Sequence, residues 1–318
     1  MTALLDKISE KSRGGEIAWE SFINSCLYDA DFGYYRAARE RTGGRGDFYT
    51  SASLKGKVFS LLIEAAAKKI LADAGIEEFE FVEIGAEPNA RTTENSRVFR
   101  LDDKIEIPET SAVFSNELLD ARPFARFKFE AGSWRKGFVV IEKPAGKFRM
   151  SEIFKIADET ETEFLLKYFP KARVNGFRLD VSFDALELFG SICAQQWRGA
   201  LIFADYFRSS EELSLLPNGT ARAYMAHKDF ADISAFAGDA DITFSPCSDM
   251  LEDIAARNGF LKIRTQTQES FFVENAAKVS EKIISSPDPL DPRKRELVQL
   301  LNPVHMGAVF RVFSAVRT

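Results

Sequence analysis

The chain has 318 residues, 45% of them hydrophobic and 28% charged, which suits one large α/β domain with additions or two domains sharing a cleft. A net charge of −6 and a pI near 5.3 argue against a nucleic-acid partner, because phosphate backbones are met by basic surfaces. Three scattered cysteines, no C-x-x-C and two histidines disfavour a zinc site and fit a reducing cytoplasm, while no run approaches the ~20 apolar residues of a membrane span.

Residues 1–75 read as helical, with Ile17, Phe22, Ile23, Cys26 and Leu27 forming one stripe over Glu16–Asp29. A second helix starts behind Ser53 as N-cap and runs to Asp73, with Gly75 as its terminator. Between the two lies a glycine-rich loop, Thr42-Gly43-Gly44-Arg45-Gly46-Asp47-Phe48-Tyr49-Thr50-Ser51. Strands follow at Phe79–Gly85, Val98–Leu101 and Ala112–Phe114. Pro123–Phe129 and Gly137–Ile141 flank Glu130–Lys136 as a β-hairpin. Helices at Glu159–Tyr168 and Asp184–Trp197 precede a buried-type strand, Ala200–Ala204, that ends in Asp205-Tyr206. Leu251–Asn258 is a helix stopped by Gly259, and Phe260–Thr265 a strand. The segment 274–300 is polar and helical, punctuated by Pro287, Pro289 and Pro292. The last strand, Val309–Val316, is expected to pair antiparallel with Phe260–Thr265. Strands alternating with helices imply a mostly parallel sheet. The chain thus divides into an N-terminal helical segment, 1–77, and an α/β domain, 78–318, with insertions at 123–175 and 274–302. The 29 phenylalanines predict a core of large apolar side chains.

Ligands of open α/β sheets bind beyond the carboxyl ends of strands. Glu83-Ile84-Gly85-Ala86-Glu87-Pro88-Asn89 stands in that position. Of an E-x-G-x-G-x-G pattern, Glu83 and Gly85 are present, while Glu87 and Asn89 occupy glycine positions. Glycines there permit positive φ and close ligand approach. Asn89 tolerates a left-handed backbone, whereas a Glu87 carboxylate about 4 Å from a ligand's own carboxylate costs on the order of 1–4 kcal/mol. An ordinary strand-to-loop turn is the competing reading. Residues 86–95 are all that separate this strand from the next, so the crossover helix is expected to be nearly absent. Asp102 and Asp103 close that next strand, where a carboxylate can accept from ribose hydroxyls; exposed turn aspartates are the alternative.

Further motifs are Leu27-Tyr28 with Gly33-Tyr34-Tyr35, Gly46-Asp47-Phe48-Tyr49-Thr50-Ser51, Val82-Glu83-Ile84-Gly85, and Ser115-Asn116-Glu117-Leu118-Leu119-Asp120-Ala121 with Pro123. Asp205-Tyr206, Gly219-Thr220-Ala221-Arg222-Ala223-Tyr224 with His227, Asp241-Ile242-Thr243, Thr267-Gln268 with Phe271, and Met306-Gly307 with Phe310 complete the set. In order and spacing, across nearly the whole chain, these residues resemble the MidA family of S-adenosylmethionine-dependent methyltransferases, related to a mitochondrial complex I assembly factor. The chain departs from the family at the second and third loop glycines, at the short crossover, and at Phe207, where the family tends to have glycine.

The resemblance implies a class I methyltransferase fold, Rossmann-like, with a mostly parallel sheet and an antiparallel terminal strand. It implies S-adenosylmethionine as cofactor, held by Asp47, Phe48, Thr50, Glu83, Gly85, Glu87 and Asp102, and arginine in a protein as the methyl acceptor. Catalysis would fall to Asn116, Glu117, Asp205, Tyr206 and His227, with a carboxylate such as Glu117 or Asp205 orienting a guanidinium. Helix capping by Asn116 and Glu117, a turn role for Asp205 and packing roles for Tyr206 and His227 are the structural alternatives. A second function also fits: a MidA-like scaffold that binds a partner protein and has lost normal cofactor binding, as Glu87, Asn89 and the short crossover suggest. Oligomeric state is left open.

Overall fold

A computed structural model describes residues 2–12, 14–36, 57–86, 91–172, 174–225 and 228–318. In chain order the elements are α1 (Thr2–Lys11), β1 (Glu16–Ala18), α2 (Trp19–Tyr28), α3 (Val58–Ala72), β2 (Glu80–Ile84), β3 (Arg97–Phe99), β4 (Thr110–Asn116), β5 (Ala125–Glu130), β6 (Ser133–Glu142) and β7 (Arg149–Ile156). They continue with α4 (Glu159–Tyr168), β8 (Arg178–Val181), α5 (Phe183–Cys193), β9 (Arg198–Asp205), α6 (Ser210–Ser214), β10 (Arg222–Met225), β11 (Lys228–Phe230), β12 (Asp241–Thr243) and α7 (Ser248–Arg257). The last are β13 (Leu261–Thr267), α8 (Gln268–Asn275), α9 (Ala277–Ile284), α10 (Pro292–Leu301) and β14 (Arg311–Arg317).

Two units are built from interleaved stretches of chain. Met1–Phe48, Leu119–Glu187 and Arg208–Asp249 form one; Tyr49–Leu118, Leu188–Phe207 and Met250–Thr318 form the other. The division does not run between residues 77 and 78: α1 and α2 belong to the first unit and α3 to the second, because each helix buries its stripe in a different core.

The second unit holds a six-stranded sheet in the order β13-β14-β9-β4-β2-β3. β3, β2, β4 and β9 are parallel, and β14 runs antiparallel between β9 and β13. The terminal strand therefore lies as the sequence predicts. Alternation sorts the central strands. Ala200, Ile202 and Ala204 of β9 join Val312 and Val316 of β14 in a core with α3, α8, α9 and α10. On the opposite face, Phe203 and Phe313 meet Phe189 edge-on, each with centroids 5.3 Å apart. Phenylalanines supply most of the largest fully buried side chains.

No helix joins β2 to β3 among the described residues of that connection. The expected loss of the crossover helix is observed there. Glu83 does the anchoring instead: its buried carboxylate accepts from Thr92 N at 2.7 Å, Thr92 Oγ1 at 2.6 Å and Ser96 Oγ at 3.5 Å.

The first unit contains a five-stranded antiparallel sheet, β1-β6-β5-β8 with β7 on β6, and a three-stranded sheet, β11-β10-β12. The hairpin over 123–141 is β5 and β6, to which the chain adds three strands. One helical expectation is corrected here. Glu16–Ala18 is a strand, because Gly14 and Gly15 at φ +64° and +83° turn the chain onto β6, where Ile17 pairs with Val139. The helix begins only at Trp19. The predicted N-cap Ser53 lies outside the described residues; Val58 N, the first described helical residue of α3, donates to Glu296 at 3.0 Å. Among the described residues no helix is long and apolar enough to cross a membrane.

Candidate functional site

The carboxyl ends of four strands of the second unit meet along one sheet edge. Ile84 pairs with Ser115, and Asn116 with Ala204, so the chain leaves the sheet side by side at Gly85, Glu117 and Asp205. Gly85 N donates to Phe99 O at 2.8 Å, which adds the Arg100–Asp103 turn to the row. Ser115 Oγ donates to Ile84 O at 2.9 Å and ties the ends of β2 and β4 together.

Gly85 has φ +83°, and a Cβ there would lie 2.8 Å from Leu118 Cδ1. Backbone freedom and space both demand glycine. Glu83, two residues earlier, is held above the ordinary carboxylate range by burial, opposed by its hydrogen bonds from Thr92 and Ser96. Its carboxylate thus shapes the loop beside the site. Asp103 Oδ2 accepts from Arg100 N at 2.7 Å and closes the turn, leaving Asp102 exposed at φ +75°.

Asn116 and Glu117 carry the most informative geometry. Glu117 has φ +50°, a conformation that costs a non-glycine residue on the order of 1–3 kcal/mol and recurs at functional sites. Its amide donates to Ala204 O at 2.9 Å, which pins that conformation to β9. Asn116 Nδ2 donates to Glu117 Oε1 at 2.8 Å. That contact fixes which end of the amide is nitrogen, since an oxygen would repel the carboxylate. Among the described residues Asn116 Oδ1 is then a buried acceptor without a hydrogen-bond partner, an arrangement that costs free energy until a donor arrives.

Asp205, at the end of β9, is 1% exposed and accepts from Tyr206 N at 2.7 Å. The Tyr206 ring lies 4.6 Å from Phe310, and Phe207 is buried. The row thus joins Glu83, Gly85, Asp102, Asn116, Glu117, Asp205 and Tyr206. Asp47, Phe48, Thr50, Glu87, Asn89 and His227 lie outside the described residues. Sequence reasoning gave no site role to Thr92 and Ser96, which the fold alone brings to the Glu83 carboxylate, nor to Ser115 and Leu118, although both stand in the Ser115–Ala121 motif.

A family profile described as "Putative S-adenosyl-L-methionine-dependent methyltransferase" matches residues 60–265, well over half of the chain. The chain belongs to this family. Its cofactor is S-adenosylmethionine, in agreement with the sequence expectation. No curated protein matches the chain. Among solved structures, a protein from Burkholderia thailandensis crystallised with S-adenosyl-homocysteine aligns at TM-score 0.84 and 22% identity, covering 99% of this chain and 92% of that one. A native structure, also of a Burkholderia thailandensis protein, aligns at TM-score 0.81 and 22% identity, covering 99% and 91%. These likenesses establish the α/β fold expected from the sequence.

The residues present fit the family's cofactor. Gly85 opens the backbone at the strand end, and the unpartnered Asn116 Oδ1 is an acceptor suited to a hydrogen-bond donor of a bound molecule.

Proposed function

We propose that the chain is a MidA-like member of this family that methylates a protein side chain, arginine, using S-adenosylmethionine. The observation that carries the reading is the Asn116–Glu117 pair: a strained backbone, a carboxylate and an unpartnered buried acceptor at the carboxyl end of a central parallel strand. Strain and an unmet acceptor both cost stability, and a purely structural turn has no need of either.

When bound, S-adenosylmethionine would supply an electrophilic methyl group: an aligned guanidino nitrogen would bond to the methyl carbon as its C–S bond broke, with S-adenosyl-homocysteine as the leaving group and one proton lost from the nitrogen. Alignment, more than acid–base machinery, is then the protein's task. Glu117 is suited to hold a guanidinium through paired charge-assisted hydrogen bonds, with Asp205 as the second carboxylate of the row. Gly85, Asp102 and Asn116 are assigned to the cofactor. A second reading, a protein-binding scaffold without normal cofactor binding, draws support from the absence of a helix between β2 and β3 among the described residues of that connection.

Titration calorimetry with S-adenosylmethionine and S-adenosyl-homocysteine separates the two. Micromolar binding is expected, and absence of heat up to about 1 mM ligand would leave the scaffold reading standing. Labelled methyl transfer to a protein extract, followed by hydrolysis, is expected to yield methylarginine, with Glu117→Gln lowering transfer at least about tenfold while sparing cofactor affinity.

A further inference from the structure

The first unit carries a cleft of about 410 Å³, a volume within the range of small-ligand sites. Trp19, Arg126, Glu152, Arg178, Asn218 and Asp232 line it. Strand register explains how they meet. Arg126 pairs with Asp180 and Lys128 with Arg178 across β5–β8, and Val139 with Glu152 across β6–β7, which sets these side chains on one sheet face. Gly137 shares that face. A Cβ there would stand 2.8 Å from Trp19 Cδ1 and 3.1 Å from Phe154 Cε1, so glycine lets both rings settle over β6. Arg126 lies 5.2 Å over the Trp19 ring, and Arg178 5.2 Å over Phe154.

The polar groups of the cleft are unevenly spent. Asp180 accepts from Thr220 N at 2.7 Å, Ala221 N at 2.8 Å and Arg126 Nε at 3.0 Å. Glu152 accepts from Trp19 Nε1 at 2.9 Å and Arg178 Nη1 at 2.7 Å, while Arg126 Nη1, at 3.6 Å, is beyond hydrogen-bond range. The unspent capacity is therefore on donors. Among the described residues Arg126 Nη1 and Nη2, Arg178 Nε and Nη2, and the Asn218 amide donate no hydrogen bond. The Arg126 side chain is only 11% exposed, so water reaches little of it. Asn218 is fixed next to Arg178 by a parallel bridge.

An acceptor-rich group would complete this set, and guanidinium forks match the paired oxygens of a carboxylate. Glu152 and Asp232 line the same cleft, the latter accepting from Ser234 N and Oγ at 3.1 and 2.7 Å. Their negative charge weighs more heavily against a doubly charged phosphate than against a singly charged carboxylate. We propose that this cleft binds a carboxylate group, received by Arg126 and Arg178 with Asn218 beside them.

The test titrates the full chain with glutarate and with an acetylated tri-glutamate amide at constant ionic strength, following tryptophan emission, since Trp19 forms part of the wall. A saturable change is expected with at least one of them. Equal affinities identify a small carboxylate as the ligand, and a peptide binding about tenfold more tightly identifies an acidic protein segment. Arg178→Gln leaves the Arg126–Asp180 pair intact and is expected to weaken binding about tenfold, while Asp232→Asn strengthens it. The proposal is overturned by no saturation up to about 50 mM ligand, by sulfate binding equally well, or by unchanged affinity in Arg178→Gln.

Discussion

Gly85 and Leu118 form a pair whose two constraints can be separated. Gly85→Ala must hold alanine at φ +83° and drive its Cβ against Leu118 Cδ1. The backbone part costs about 1–2 kcal/mol and the overpacking about 1–3 kcal/mol. Urea unfolding is expected to show a loss of about 2–5 kcal/mol, of which Leu118→Ala in the same chain restores only the steric share. A coupling of zero in that double-mutant cycle would contradict the contact. Glu83 makes a pH-dependent prediction. Its folded-state pKa is raised above 4.5, so the protonated form stabilises the fold; that contribution is complete below the ordinary value and is lost as pH rises through the raised one. Glu83→Gln keeps an acceptor for Thr92 N and offers a donor to Thr92 Oγ1. Its unfolding midpoint should therefore gain on the wild type from about pH 4 to about pH 8. A constant difference would refute the assignment. Both residues were legible from spacing, because a positive φ at a strand end is a local demand. Thr92 was not, since its role depends on a carboxylate that the crossover returns to it.

Elements differ in how far the sequence announces them. Glu159–Tyr168 is read correctly because Asp158 and Glu161 make a capping box, a purely local device. β7 passes unnoticed: Arg149–Ile156 mixes charged and apolar residues, and its strand character comes from eight register pairs with β6. The same holds for the donors of the first-unit cleft, where Trp19 and Glu152 are 133 positions apart yet share a hydrogen bond. Arg317 shows a third kind of dependence. Its guanidinium donates to the carbonyls of Cys193 and Trp197 at 2.7 Å and Asn258 at 3.1 Å, and to that of Gln195, and lies 5.1 and 4.5 Å over the Trp197 and Phe260 rings. One side chain thus satisfies carbonyls at and beyond the ends of α5 and α7. Burial lowers its pKa, with no carboxylate pairing it among the described residues. Arg317→Met is expected to cost about 3 kcal/mol by urea unfolding, more than a surface arginine, because the freed carbonyls are left without that donor.

At the scale of the whole molecule, the first unit buries Cys247, and in addition each unit holds a buried free thiol, Cys26 in the first and Cys193 in the second. Burial pushes both up to about 12, opposed at Cys26 by a hydrogen bond with the Gly238 backbone and at Cys193 by the nearby Arg317. Neither is a competent nucleophile near neutrality. Iodoacetamide is expected to leave both unmodified in the native protein and to label each only as its own unit opens in urea. Rapid native labelling of either would contradict its burial. The interleaving of the units was not legible in the sequence, where residues 1–77 read as a separate segment; which core a helix joins is decided by partners more than a hundred positions away.

β14 gives this architecture a history as well as a shape. It enters the sheet between β9 and β13, so Ala204 waits for Val312. Until that pairing forms, the apolar strand Ala200–Ala204 has an open edge, and closing so long a loop delays its cover. Partly folded chains in which β3, β2, β4 and β9 have assembled would expose a flat, hydrogen-bonding template to one another. The hazard for this protein during folding is thus self-association through β9, and its natural suppressor is the chain's own last strand.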